Sequence, residues 1–175
     1  MHILNLGWFV ASSKMQCTMN SFNSIAVKKP EVLISGIRVG FDLVQISRIA
    51  DSIHLFGDHF KRRLFTEREL DYAHSGEGLC AERLAARFAA KEAIIKALAL
   101  SEQGIGWRDI EVRTSLDGGC AIALHGRVAK LARRMGVGHM ALSLSHEGDY
   151  AGAIVTALCK ANEFEPDEFL TTDQP

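Results

Sequence analysis

Through residues 32–46 the chain alternates, with Ile37, Val39, Phe41 and Leu43 falling on one side and Arg38, Gly40 and Asp42 on the other. A period of two in a stretch this rich in β-branched residues predicts a strand with one apolar and one polar face. The spacing then turns helical. Ser47 stands where it can cap a helix, SRIADSIHLFG, that Gly57 would end; a short basic helix around residues 59–65 and another opened by Thr66 follow. Residues 80–100, good helix formers without Gly or Pro, predict the longest helix. Residues 109–113 and 120–124 read as two strands joined at Asp117-Gly118, a hairpin signal. GRVAKLARRMG reads as a helix with Arg133 and Arg134 in its last turn and Gly136 as its stop. Residues 139–146 and 150–158 predict two more strands, joined by Glu147, Gly148 and Asp149. The order βααα then ββαββ predicts an α+β fold, a mainly antiparallel sheet packed against a long helix.

Before Pro30 no period is sustained, and Ser, Asn and Lys punctuate the chain. Residues 1–30 are therefore expected to be a poorly ordered extension, 31–160 the folded domain, and 161–175 an acidic tail. Residues 3–11 are apolar but have no Lys or Arg before them, unlike a secretory signal.

Composition narrows the possibilities. A chain of 175 residues can bury roughly 70% of its unfolded surface in one core. The formal charge of -1 gives no global pull toward nucleic acid or anionic membrane, so any anion site must be local. Four scattered cysteines show no CxxC or Cys/His spacing, which argues against a zinc site or a disulfide framework and suits a reducing cytoplasm. No apolar run approaches the ~20 residues that span a bilayer.

The candidate chemistry centres on RFAAKEAIIKAL, residues 87–98. Glu92 and Lys96 lie one helical turn apart, an ordinary stabilising pair. Arg87 and Lys91 put like charges one turn apart, at a cost of ~0.2–0.5 kcal/mol unless an anion lies between them. A helix offering a carboxylate on one side and cations on the other would suit a diphosphate bound through Mg²⁺. Asp42, set between Phe41 and Leu43, reads either as a solvated residue on the polar strand face or as a ligand for a hard divalent cation. His146 ends a strand in SLSH; there is no GxSxG elbow, and neighbours on a strand point apart, so a Ser/His hydrolase is disfavoured. Thr66 and Glu69 form a capping box, and Arg48 with residues 61–63 could make a basic surface for an acidic partner.

Four segments together resemble a known family. GFDLVQISRI, RRLFTERELDYA, RLAARFAAKEAIIKAL and SLSHEGDYAGAIV occur in that order, and they resemble the signature blocks of the holo-[acyl-carrier-protein] synthases, the small group of 4'-phosphopantetheinyl transferases. The resemblance implies the 4'-phosphopantetheinyl transferase fold, and transfer of the phosphopantetheine arm of coenzyme A to a serine of an apo acyl carrier protein, releasing adenosine 3',5'-bisphosphate. It implies that Asp42 and Glu92 hold Mg²⁺, and that Lys96, Lys91 and Arg87 meet phosphates of coenzyme A. His146 would sit near the nucleotide, Arg48 would face the carrier protein, and Glu69 would be a base acting through water. A homotrimer with the coenzyme site between subunits is also implied. The chain departs from the family pattern at Ala99, where a glycine usually stands, at Glu147 after SLSH, and in its first thirty residues. Two alternatives stand beside this reading: another Mg²⁺-dependent phosphate-transfer enzyme, or a non-catalytic module binding coenzyme A or acyl carrier protein. RNA binding is disfavoured by the neutral charge and the lack of an RNA-binding motif.

Overall fold

The structure, a computed structural model, describes residues 34–75, 78–115 and 119–160. The expected extension, the acidic tail and the Asp117-Gly118 turn lie outside the described residues. Strand β1 (Ile34–Gln45) is followed by helices α1 (Ile46–Leu64), α2 (Glu67–His74) and α3 (Cys80–Ala97). A short 3-10 turn, Trp107–Asp109, leads to β2 (Ile110–Thr114), β3 (Cys120–Leu124), α4 (Gly126–Arg134), β4 (Val137–Glu147) and β5 (Tyr150–Lys160). The strands form two antiparallel sheets, one in the order β1-β5-β4 and one pairing β2 with β3.

Helix α3 lies across the inner face of β1 and β5 because the contact is made of small residues. Ala89, Ala93 and Ala97 are buried on the helix, and Ala153, Val155 and Ala157 on β5. Gly40 is the point of closest approach: a Cβ there would lie 1.9 Å from the carbonyl oxygen of Ala93. No side chain fits.

This contact decides which face of β1 is inward. Gly40 and Asp42 turn toward α3, while Ile37, Val39, Phe41 and Leu43 look outward and are 56–65% exposed. Gly152 and Ile154 of β5 stand opposite Leu43 and Phe41 on that outer face. The reading of Asp42 as a residue on a merely solvated polar face is corrected: the apolar face is the open one.

Helix α1 begins one residue before Ser47. Its N-terminal cap is Gln45, which gives no side-chain bond. Asp149, from the β4–β5 turn, performs that service instead, accepting Ser47 N–H at 2.8 Å and Ser47 Oγ–H at 2.7 Å, while its carbonyl accepts Ile46 N–H at 2.8 Å. An anion is well placed at the positive end of a helix. Gly57 (φ 54°, ψ -137°) breaks the helix as expected, but helical structure resumes at once. Thr66 and Glu69 form the expected capping box. Ala99 takes φ 50°, so the altered position keeps a left-handed backbone at a cost of ~1–2 kcal/mol for a residue with a Cβ.

Gly40→Ala should push α3 off β1 and lower stability by ~1–3 kcal/mol, the range for an overpacked core. Gly36→Ala, where a Cβ meets nothing within 4 Å, should stay within ~0.5 kcal/mol. Urea unfolding of the two variants checks the contrast.

Candidate active site

Asp42 projects from the inner face of β1, and Glu92 and Lys96 from α3, on either side of the Gly40 contact. The Lys96 ammonium donates to Asp42 Oδ1 at 2.7 Å and to the Phe41 carbonyl at 3.2 Å. That hydrogen bond to Asp42 holds the Lys96 ammonium above its ordinary pKa, with the charge of the carboxylate adding to it. Glu92 is half-buried, and its carboxyl is pushed up first by burial and then by the charge of Asp42, against an opposing pull from Lys96.

These groups open onto a cleft of about 630 Å³ whose wall includes Asp42, Gln45, Arg48, Ser52, Phe88 and Glu92. Arg48 reaches it from the first turn of α1, the end that Asp149 ties to the sheet. Three of the residues singled out in the sequence, Asp42, Arg48 and Glu92, therefore share one surface, and Lys96 is bonded to the first of them. Gln45, Ser52 and Phe88 were not singled out. The signal for the first two was the GFDLVQISRI block itself, which continues into the helix that forms the cleft wall.

Two carboxylates beside one open cleft are an oxygen donor set suited to a hard divalent cation, which usually takes only one or two protein carboxylates and completes its shell with water and substrate phosphate. The elevated Glu92 fits this reading, because a nearby cation would relieve its repulsion from Asp42. Among the described residues there is no cluster of three or more His, Cys, Asp or Glu side chains that would hold a metal without such help.

Glu69, Lys91 and Arg87 are elsewhere. Glu69 and Lys91 are paired with each other at 2.9 Å with side chains wholly shut off from solvent. Arg87, also buried, donates to the Arg83 carbonyl at 3.1 Å and to Thr114 Oγ1 at 2.7 Å, and its guanidinium lies 3.9 Å from the ring centre of Tyr72. Burial holds both cations below their ordinary pKa values; for Lys91 the opposing pull comes first from Glu69, and for Arg87 from Tyr72. In this structure the hydrogen bonds that Lys91 and Arg87 donate go to protein acceptors, and Arg87 Nε is buried without a partner among the described residues. Both oxygens of the buried Glu69 carboxylate are engaged, Oε1 by Val112 N–H and Oε2 by Thr66 N–H and the Lys91 ammonium.

His146 is exposed at the end of β4 and lines a second, shallow recess with Phe41, Leu43, Ser143, Ser145 and Glu147. Within one chain it is not brought into the Asp42 cleft, although Tyr150 borders both.

Comparison with known proteins places this geometry. Residues 38–155 match the model of the 4'-phosphopantetheinyl transferase superfamily. A holo-[acyl-carrier-protein] synthase of Gloeobacter violaceus is 41% identical over 121 residues, covering 69% of this chain and 92% of its own. One from Paramagnetospirillum magneticum is 44% identical over 124 residues, covering 68% and 93%. Among solved structures, the Chronobacterium ammoniagenes ACPS–CoA complex superposes with a TM-score of 0.65 at 34% identity, covering 73% of this chain and all of that one. The chain therefore belongs to the 4'-phosphopantetheinyl transferase superfamily, within its group of holo-[acyl-carrier-protein] synthases.

Proposed function

We propose that the protein transfers the 4'-phosphopantetheine group of coenzyme A to a serine hydroxyl of an apo acyl carrier protein. The observation that carries this is the meeting of Asp42, Glu92 and Lys96 at the edge of the Arg48 cleft, in a chain whose relatives are holo-[acyl-carrier-protein] synthases. The serine oxygen forms a bond to the phosphorus attached to pantetheine, and that phosphorus loses its oxygen bridge to the nucleotide phosphate. Adenosine 3',5'-bisphosphate leaves with the bridging oxygen, and the serine proton passes to water in the cleft.

Negative charge builds on the leaving phosphate, so the protein's task is to place positive charge there beforehand. Lys96 supplies one such charge. In this structure it neutralises Asp42; with a diphosphate present it turns to the phosphate oxygens. Asp42 and Glu92 would hold Mg²⁺, which when bound neutralises diphosphate oxygens. Arg48, exposed at the cleft mouth, meets the acidic face of the carrier protein. The cytoplasm suits this reading, and no helix among the described residues is long and apolar enough to cross a membrane.

The open face of the large sheet supports assembly. Ile37, Val39, Phe41, Leu43 and Ile154 form a continuous apolar surface beside the His146 recess, the kind of patch that monomers rarely leave open. A homotrimer covering this face would bring His146 of one copy toward the nucleotide bound at the cleft of another.

Intact mass of an apo acyl carrier protein incubated with the protein, coenzyme A and Mg²⁺ should rise by one phosphopantetheine, and EDTA should abolish the gain. Asp42→Ala and Glu92→Ala should fold and fall at least ~100-fold in rate, as for a lost charge-stabilising group. Coenzyme A cleavage with no carrier present would favour another phosphate-transfer activity; binding of coenzyme A without turnover would favour a binding module. Reversing Arg48 to Glu should raise the carrier KM at least ~10-fold while leaving the coenzyme KM within ~2-fold, since a rim charge acts on its own partner. Equal effects on both substrates would remove Arg48 from docking. Sedimentation should give a trimer for the native chain and a smaller species for Phe41→Asp; a native monomer would overturn the assembly.

A further inference from the structure

Lys91 immediately precedes Glu92, and its buried ammonium has three acceptors: Glu69 Oε2 at 2.9 Å, the Trp107 carbonyl at 3.0 Å and, closest, the Ile110 carbonyl. Glu69 Oε2 also accepts Thr66 N–H at 2.8 Å, and its Oε1 accepts Val112 N–H at 3.0 Å. Among the described residues β2 pairs only with β3, so one of its edges lacks a strand partner. The ion pair binds a carbonyl and an N–H two residues apart on β2, as a neighbouring peptide would. It ties α2, α3, the 3-10 turn and β2 together at one point.

Resting on the transferase reading, we propose that Glu69 and Lys91 are positioning residues that set α3 in the register presenting Glu92 and Lys96 to Asp42, and that neither touches substrate. The other side of α3 cannot do this alone. Its alanine face against Gly40 allows close approach, but small, similar residues resist sliding only weakly. A slip of one residue moves a helix ~1.5 Å and turns it ~100°, enough to take Glu92 out of the cleft. Three fixed acceptors around one ammonium forbid that slip. Apolar replacements of a buried ion pair often stabilise as well or better, so the charges serve orientation here.

The test compares the native chain with Glu69→Gln, which keeps an acceptor for Val112 N–H, and with Glu69→Gln/Lys91→Met, which removes both charges together. Each is measured well below its melting temperature. Steady-state kinetics with an apo acyl carrier protein give kcat and the coenzyme KM, and Mn²⁺ titration in the presence of coenzyme A, followed by electron paramagnetic resonance, gives metal affinity. Positioning predicts a loss of ~10–100-fold in kcat or in Mn²⁺ affinity, the range for residues that orient a metal's ligands, with the coenzyme KM within ~3-fold of native. A folded double variant with native kcat and native Mn²⁺ affinity would reduce the pair to a stabilising role and overturn the proposal. A raised coenzyme KM at unchanged kcat would overturn it too, by making Lys91 a substrate contact. If the native chain transfers nothing, the transferase reading fails, while the Mn²⁺ titration still decides whether the pair orients Glu92.

Discussion

The backbone of β1 touches the backbone of α3 at Gly40, and that contact organises the molecule. A strand and a helix ordinarily stand apart by the thickness of their side chains. Here Gly40 and the alanines of α3 remove that spacing, so Asp42, two residues along the strand, comes within 2.7 Å of Lys96 on the helix. A larger residue at position 40 would separate the two halves of the site before it disturbed anything else. The same contact explains why the apolar residues of β1 face outward: the inner side has room for a glycine and a carboxylate and for no row of isoleucine or phenylalanine.

Close approach fixes a distance, and the polar ties fix the rest. Asp149 anchors the start of α1 to the β4–β5 turn, which sets Arg48 at the cleft. Glu69 and Lys91 anchor α3 to β2. Both ties bring together residues remote in sequence, and both satisfy backbone groups that have no partner within their own element. Breaking one member of the buried pair would leave an uncompensated charge, which costs ~3–5 kcal/mol, far more than an intact pair contributes.

What could be read from the sequence was what is local. The capping box at Thr66 and Glu69, the break at Gly57, the run of alanines and charges in α3 and the alternation in β1 all depend on neighbours within a few residues, and each stands in the structure close to where its spacing put it. Alternation showed that β1 has two faces without showing which is inward; the glycine on the polar face was the available sign, because an interior strand glycine often marks close backbone approach. The like charges of Arg87 and Lys91 read as calling for an anion between them, and in this structure protein groups serve as their partners. Those partners proved to be Thr114, Trp107, Ile110 and Glu69, reached through folds of the chain that no helical spacing encodes. Ser47 is the converse case: a competent cap residue by type, it donates to Asp149 instead, because the turn arriving from 102 residues away supplies a full negative charge at the helix start.

The split between the Asp42 cleft and the His146 recess follows from the same geometry. Alternation along β1 sends Asp42 inward and its neighbours Phe41 and Leu43 outward, and those two neighbours line the recess that holds His146. Ser143 and Ser145 of β4, paired with Ile154 and Gly152, share that outer face, whereas His146 pairs with Ala151 at the end of the sheet, and Leu43 and Tyr150 border both the cleft and the recess. In the proposed assembly the four outward-facing apolar residues of β1, two of which border the recess, are the surface that a second copy would cover.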